Sequence, residues 1–418
     1  MKRYSGILIS ALAASLAAFG PATAQIALEE YRGEVAAYSR QLKIAASGSA
    51  AASGELGRAR TGYLPSLSLD GSFTKTFHRY EGIEPWTFSV LPQVVQTLYG
   101  GGSVRATVRQ AELGYDIALC EEAFTRLDVR YAADYAYWNL SAVELYAASM
   151  REYVSIIRSL KRVVDRRFAE GYTSRSDVLM IDARLSEAEY TLVSVEQNYE
   201  VALHNFNILC GADPLRRVTL AGSIRDSLPM PERMGAGEAV ARRPDHTAAQ
   251  LRAEQAAAAV RLARAPYNPH VSVGVGGSWQ PYVPNQTGAT TVDGSVFVKV
   301  SLPIFHWGER RRAVSAARAL QTQQEWSAAQ RYDEIVREEM NGWTALVQSH
   351  AQVAASEESL RIAGENLTLS TYSYGEGQAT ILDVLQAQLS WIQIYTNAIK
   401  AHFSYATAVS DYLRITAQ

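Results

Sequence analysis

The chain has 418 residues, and its 40 Lys and Arg nearly balance its 42 Asp and Glu. That balance removes the electrostatic case for a nucleic-acid partner. Past the N-terminal leader no apolar run reaches 18 residues. This excludes a helical inner-membrane protein and leaves a closed barrel as the one way into a bilayer.

Lys2 and Arg3 precede an uncharged apolar run from Ile7 to Phe19, and Ala22-Thr23-Ala24 follows. Basic start, short apolar core and small-residue exit predict a signal peptide over 1–24, with Gln25 first in the mature chain. The residue directly after that site is Gln25 and not Cys, so no lipid anchor is expected.

A first repeat is expected over 25–209: a helix, a β-hairpin at about 64–99, and long helices with a tip near 168–176. Leu67, Leu69, Phe73 and Phe77 alternate with Ser66, Ser68, Asp70, Ser72, Thr74 and Thr76, and period two means strand. After the turn-rich segment 78–85, Trp86, Phe88 and Val90 open a second strand. From Gly102 to Arg167, and again from Ser176 to Leu209, Pro is absent and Ala, Leu, Gln, Glu and Arg dominate, so these stretches read as helix. Roughly 65 helical residues span about 97 Å, longer than a globular core needs, which points to antiparallel coiled coils.

A linker over 210–237 carries Pro214, Pro229 and Pro231. The second repeat, 238–418, has the same plan: a helix, a hairpin at about 269–305, and long helices with a tip near 374–380. Val271, Val273, Val275 and Trp279 alternate with small polar residues. So do Val292, Val296, Val298 and Val300 after the turn segment 281–290.

The halves also match residue by residue. Ala59-Arg60, Tyr63 and Pro65 recur as Ala263-Arg264, Tyr267 and Pro269, an offset of about 204. Leu98-Tyr99, Gly102 and Arg105 recur as Ile304-Phe305, Gly308 and Arg311. Phe168, Glu170-Gly171 and Asp177-Val178-Leu179 recur as Tyr374, Glu376-Gly377 and Asp383-Val384-Leu385, both offset by about 206. Three separated blocks in one order indicate duplication of a whole half, with a period far too long for a solenoid.

Each hairpin has one apolar and one small polar face. In an outer-membrane barrel these meet lipid and water. Trp86, Tyr99, Trp279, Tyr282, Phe305 and Trp307 fall near strand ends, where interfacial aromatics are expected. Arg60, Arg105, Arg264 and Arg310 to Arg312 flank the helix-side strand ends, within reach of lipid headgroups. Four strands leave open edges, so the chain must oligomerise; two copies give a filled barrel of eight strands, three give twelve and a lumen.

This duplicated hairpin-on-long-helices plan resembles the TolC family of outer-membrane efflux ducts over essentially the whole mature chain. The resemblance is carried by the doubled Ala-Arg-x-x-Tyr-x-Pro strand start, the strand exits at Leu98 to Gly102 and Ile304 to Gly308, and the tip Gly377 to Gln388. It implies a homotrimer with a 12-stranded barrel and an α-helical tunnel, a periplasmic adaptor protein and inner-membrane pump as partners, and outer-membrane lipid around the barrel. It also implies an iris of helical tips. By the tip motif Asp383 matches a ring aspartate, whereas the second ring position falls on Gln386 and has lost its charge. Tyr374 matches a tyrosine that hydrogen-bonds the closed state, but its arginine counterpart falls on Ala379. Asp177 matches the acidic residue of the partner tip, with Arg175 close by. Clustering of like charges at such a ring raises field and pKa together. The dipole of the following helix would favour both aspartates with or without a gate. Adaptor docking is expected at Gly171, Thr173, Gly377 and Ala379.

The seven His are scattered without ligand spacing, so no metal is expected. Nucleophile elbows and phosphate loops are absent too, so neither an enzyme nor a cofactor is expected. Cys120 and Cys210, at helix heights differing by roughly 18 Å, are expected to be free and mostly buried. A soluble coiled-coil scaffold is the rival class, distinguished by detergent dependence and a heat-modifiable oligomer. The residues do not separate drug efflux from protein secretion.

Overall fold

The computed structural model describes residues 25–75, 77, 86–280 and 290–418. The expected signal peptide, most of both inter-strand turns and Tyr282 lie outside the described residues.

In chain order the first half holds β1 (Gln25–Ile26), α1 (Leu28–Tyr38), α2 (Arg40–Arg60), β2 (Ser66–Lys75), β3 (Trp86–Gly100), α3 (Ser103–Ala169) and α4 (Arg175–Cys210). Then come β4 (Thr219–Leu220), α5 (Ala236–Arg242), α6 (Pro244–Arg264), β5 (His270–Gln280), β6 (Thr291–Ser301), α7 (Glu309–Gly375) and α8 (Ile381–Ile415). The long helices α3 and α7 each have 67 residues.

Two local features depart from expectation. The single helix expected before each hairpin is broken in both halves. Ser39 starts α2 afresh by accepting the Leu42 N–H, and Pro244, which needs no N–H partner in a first turn, starts α6 after α5. Strand β6 stops at Ser301, short of the expected 305, because Pro303 has no N–H for the ladder. Phe305 and Trp307 therefore lie past the strand. The linker is partly ordered: β4 pairs in parallel with β1.

Two compact units form, and each draws on both halves. The first comprises the described residues of 1–38 together with 133–228 and 352–406. Its core is a four-helix coiled coil. Met150, Tyr153, Ile157, Leu160 and Val164 of α3 recur at alternating steps of three and four, the seam of knobs-into-holes packing. They meet Val178 and Ile181 of α4, Leu367 and Tyr374 of α7, and Val384, Trp391 and Ile392 of α8. In the same unit Tyr31 stacks on Phe206, ring centroids 3.8 Å apart, and donates its hydroxyl to the Phe206 carbonyl.

The second unit comprises 39–132, 229–351 and 407–418. It contains one four-stranded antiparallel sheet in the order β2-β3-β5-β6. A buried ionic knot braces its helices: Arg243 reaches Asp245 at 2.7 Å and also pairs with Glu338, and Arg331 reaches Asp245 at 2.5 Å. Burial opposes ionisation of Asp245, but the two guanidinium groups outweigh it and hold the carboxyl at about 2. Cys120 and Cys210 are free and only half-buried, a correction to the expected burial.

Candidate functional site

Two surfaces bear on function, the helical tips of the first unit and the sheet of the second.

Both tips are built by the same backbone device. The N–H of Tyr172 returns to the Arg167 carbonyl at 2.8 Å, and that of Gln378 to the Ser373 carbonyl at 2.8 Å. These six-residue closures put Gly171 at φ +80° and Gly377 at φ +76°. The left-handed conformation is what requires glycine here. Space does not, since a Cβ at either position meets nothing within 4 Å. Gly171 and Gly377 are exposed, Thr173 is half-buried, and Ala379 packs against the coiled-coil core.

The tip aspartates are helix caps. The Asp177 carboxylate accepts from the Thr173 hydroxyl at 2.5 Å and the Ser174 N–H at 3.0 Å, while the Asp177 N–H returns to Ser174 Oγ at 3.2 Å. Asp383 accepts from the Thr380 hydroxyl at 2.7 Å and the Thr380 N–H at 2.8 Å, with its own N–H returned to Thr380 Oγ1 at 3.3 Å. These are reciprocal capping boxes. The hydroxyl of Thr173, and then the Ser174 amide, lower the Asp177 pKa; the Thr380 hydroxyl and amide do the same for Asp383. Within one copy, then, capping holds both carboxyls below their ordinary range, opposite in direction to the rise expected of a charge ring.

Arg175 does not pair with Asp177: it lies over the Phe168 ring, 5.9 Å from its centroid. Tyr374 is buried, and its hydroxyl has no hydrogen-bond partner among the described residues. An arginine does reach it, although the tip motif assigned none. Arg167 of α3 sits 4.7 Å above the Tyr374 ring and donates to the Gly375 carbonyl at 2.8 Å. Sequence reasoning missed this because the partner comes from the other repeat.

Asp383 and Gln386 are both exposed, and they begin a longer stripe. Asp383, Gln386, Ser390, Gln393, Asn397 and Lys400 follow one another at steps of three and four, so they share one face of α8. The opposite faces of α8 are buried. That spacing was present in the sequence and is the signal that could have found the stripe.

On the sheet, register settles which residues share a face. Leu67 faces Val94, Phe73 faces Phe88, Val94 faces Val275, and Val275 faces Val296. These positions of all four strands therefore form one apolar surface, and it is exposed: Leu67 is 77% and Val296 76% accessible. A patch of this extent marks contact with lipid or a partner. The other face is hydrophilic. Ser72 bonds Ser89 at 2.8 Å and Gln93 donates to Asp70 at 3.0 Å. Leu91, Val95 and Phe297 break the pattern on this face, and Phe297 lies over Gly274, where a Cβ would come within 2.4 Å of its ring. Trp86 and Trp279 sit toward the hairpin-turn end of the sheet, Tyr99 at the helix end, and Phe305 and Trp307 just past β6, ring centroids 4.9 Å apart.

The description "Outer membrane efflux protein" matches residues 32–212 and 236–414. The chain belongs to that family. Nodulation protein T of Rhizobium leguminosarum bv. trifolii is 24% identical over 344 residues, 78% of this chain and 72% of that one. Protein CyaE of Bordetella pertussis is 24% identical over 368 residues, 85% of this chain and 76% of its own. The fold is that of the outer membrane protein VceC of Vibrio cholerae, with a TM-score of 0.80 at 20% identity, covering 93% of this chain and 95% of the other.

As an outer membrane efflux protein, the chain is a channel component that extends into the periplasm and serves as an exit duct for efflux or secretion. Among the described residues no helix is long and apolar enough to cross a membrane, and no group of three potential metal ligands occurs.

Proposed function

We propose that three copies close a 12-stranded barrel, and that the eight-helix plan of each copy continues it as a passive tunnel gated at the tips. The observation that carries this is the sheet order. β2 and β6 are edges, and with four antiparallel strands they run in opposite senses. The β6 of one copy can therefore pair antiparallel with the β2 of the next, and an unpaired edge in lipid is prohibitive. Three copies give the smallest such barrel with an open lumen.

In this reading the signal peptide 1–24 is removed, the repeats 25–209 and 238–418 each supply one hairpin, and residues 210–237 link them. Trp86 and Trp279 lie at one membrane border, and Tyr99, Phe305 and Trp307 at the other. The α8 stripe faces the lumen. Asp383 supplies the charged ring, and Gln386 an uncharged one. Tyr374 and Asp177, with Arg175 beside Phe168, hold the tips. The turns at Gly171, Thr173, Gly377 and Ala379, exposed at the two glycines, receive a periplasmic adaptor, which couples the duct to an inner-membrane pump. The duct itself performs no catalytic step.

Native mass spectrometry in detergent is expected to give three protomer masses, and a monomer or dimer alone sinks the barrel reading. Single channels of Asp383→Asn are expected to lose most of their preference for cations, while Asp177→Asn leaves selectivity closer to the parent. Unchanged reversal potentials in Asp383→Asn remove that residue from the constriction.

A further inference from the structure

At the foot of the sheet a cavity of about 700 Å³ opens between the start of α3 and the end of α6. Arg105 and Arg109 on α3 and Arg261 and Arg264 on α6 line it, against Glu112 as the one acid of the lining. Glu254 at 3.0 Å and Glu112 at 3.6 Å neutralise Arg109. Arg105, Arg261 and Arg264 have no ion-pair or hydrogen-bond partner among the described residues. Three unneutralised guanidinium groups around one void are held together only by the fold.

The backbone enforces that crowding. Gly101, at φ +65°, lets the start of α3 approach the end of α6 so closely that a Cβ would stand 2.3 Å from the Ala265 carbonyl oxygen. Asn268 clamps the approach by donating to the Gly101 carbonyl at 2.8 Å. Gly101 and Gly102 line the void, so the N-terminus of α3 abuts it. Its free first-turn amides and dipole add to the positive field.

Position indicates the ligand. The cavity lies where β3 runs into α3 and α6 leads into β5, the two inner strands that pair with each other. Barrel closure through β2 and β6 leaves it uncovered. Leu64, Leu98 and Tyr99 are exposed on the adjoining strand ends. A void of this size lies in the range of small-molecule sites and exceeds what a lone phosphate fills. Apolar side chains beside a phosphate-sized positive cluster match a lipid better than a soluble anion.

We propose that this cavity binds the headgroup of an anionic glycerophospholipid, one per copy. Arg105, Arg261 and Arg264 fork onto the phosphate, and the acyl chains lie along the exposed strand ends. The site goes beyond general snorkelling of border arginines because it is a walled void with a fixed stoichiometry.

Full-length trimer is mixed with phosphatidylglycerol or with phosphatidylcholine of the same chains and read by native mass spectrometry. The expected result is up to one retained phosphatidylglycerol per copy, at least tenfold over phosphatidylcholine. R105Q/R261Q/R264Q is expected to abolish that preference. R126Q/R162Q/R337Q, with the same charge change at exposed positions outside the cavity and away from the strand ends, is expected to keep it. Equal retention of the two lipids by the parent overturns the proposal without recourse to any variant. So does a phosphatidylglycerol preference that survives in R105Q/R261Q/R264Q. Uptake of inorganic phosphate with no lipid preference overturns it in favour of a soluble-anion site. Should the glutamine variant fail to assemble, R105K/R261K/R264K keeps the charge but not the fork, and must weaken the preference.

Discussion

The two helical tips share a backbone and differ in charge. Each closes through the same six-residue hydrogen bond, a left-handed glycine and a Ser or Thr capping box completed by an aspartate. Both tips carry the matched acids, Glu170 and Asp177 in the first and Glu376 and Asp383 in the second, but the first adds Arg166, Arg167 and Arg175, whereas residues 372–383 of the second contain no Lys or Arg. Duplication preserved what the chain needs to reverse direction and left side chains outside the caps free to diverge. The divergence is complementary. Arg167 leaves its own tip to stack on Tyr374 and bond Gly375 of the other, so the first tip acts as the clamp and the second as the clamped element.

The largest expected effect comes from removing that clamp. Arg167→Ala deletes a charged hydrogen bond to a carbonyl and a cation–π contact, together about 2 kcal/mol. If the second tip is the moving part, about 2 kcal/mol shifts its equilibrium by roughly 30-fold. Single-channel recordings are expected to show markedly more frequent openings, whereas Arg166→Ala, on the same turn, leaves them near the parent level. Equal behaviour of the two variants breaks the clamp.

A second test uses equivalent positions of α4 and α8. Gln388 is buried in the coiled-coil core with neither amide atom hydrogen-bonded among the described residues. Its counterpart, Asp182, is half-exposed and pairs with Lys161 at 2.5 Å. Burying an amide without a partner costs about 1–3 kcal/mol. Gln388→Leu is therefore expected to stabilise the protein by about that amount, while Asp182→Leu loses an exposed pair worth about 0.5 kcal/mol. Thermal unfolding in detergent checks both. Destabilisation by Gln388→Leu would reveal a bond that Gln388 makes only in the assembled tunnel.

The same contrast explains what was legible in the sequence. Strand faces, helix spans and tip turns follow from periods of two and three-to-four and from glycine and capping chemistry, which are local. Tyr63 and Pro65 mark the start of β2, and Gly171 and Gly377 mark the turns, because each acts on its own backbone. The breaks at Ser39 and Pro244 were also local signals, but they are weak beside the long helical runs around them. Contacts across more than 100 residues had no such signal. Arg167 on Tyr374 and the arginine cavity at Gly101 depend on how helices from different repeats pack. The tip motif could place an aspartate at 383, yet it could not say that Thr380 already engages the carboxylate. That engagement is a capping box, visible in hindsight as Thr-x-x-Asp and Ser-x-x-Asp at both tips.

The smallest expected effect asks whether the caps are as equivalent as their geometry. Ser174→Ala is expected to cost about 1 kcal/mol of local helix stability, and Thr380→Ala should match it. Hydrogen exchange at the first-turn amides of α4 and α8 reports this as roughly fivefold faster opening at pH 7. Both aspartates have pKa values depressed by these hydrogen bonds. Their contribution is present in full above the ordinary carboxylate range and is lost as pH falls through the lowered folded values. Acidification should therefore shrink the gap between each variant and the parent, because protonated Asp177 and Asp383 accept less strongly from the capping amides. A gap that closes at one tip and persists at the other would mean that the halves have diverged in their backbone device as well as in their charge, and would shift the moving element to the tip whose cap is weaker.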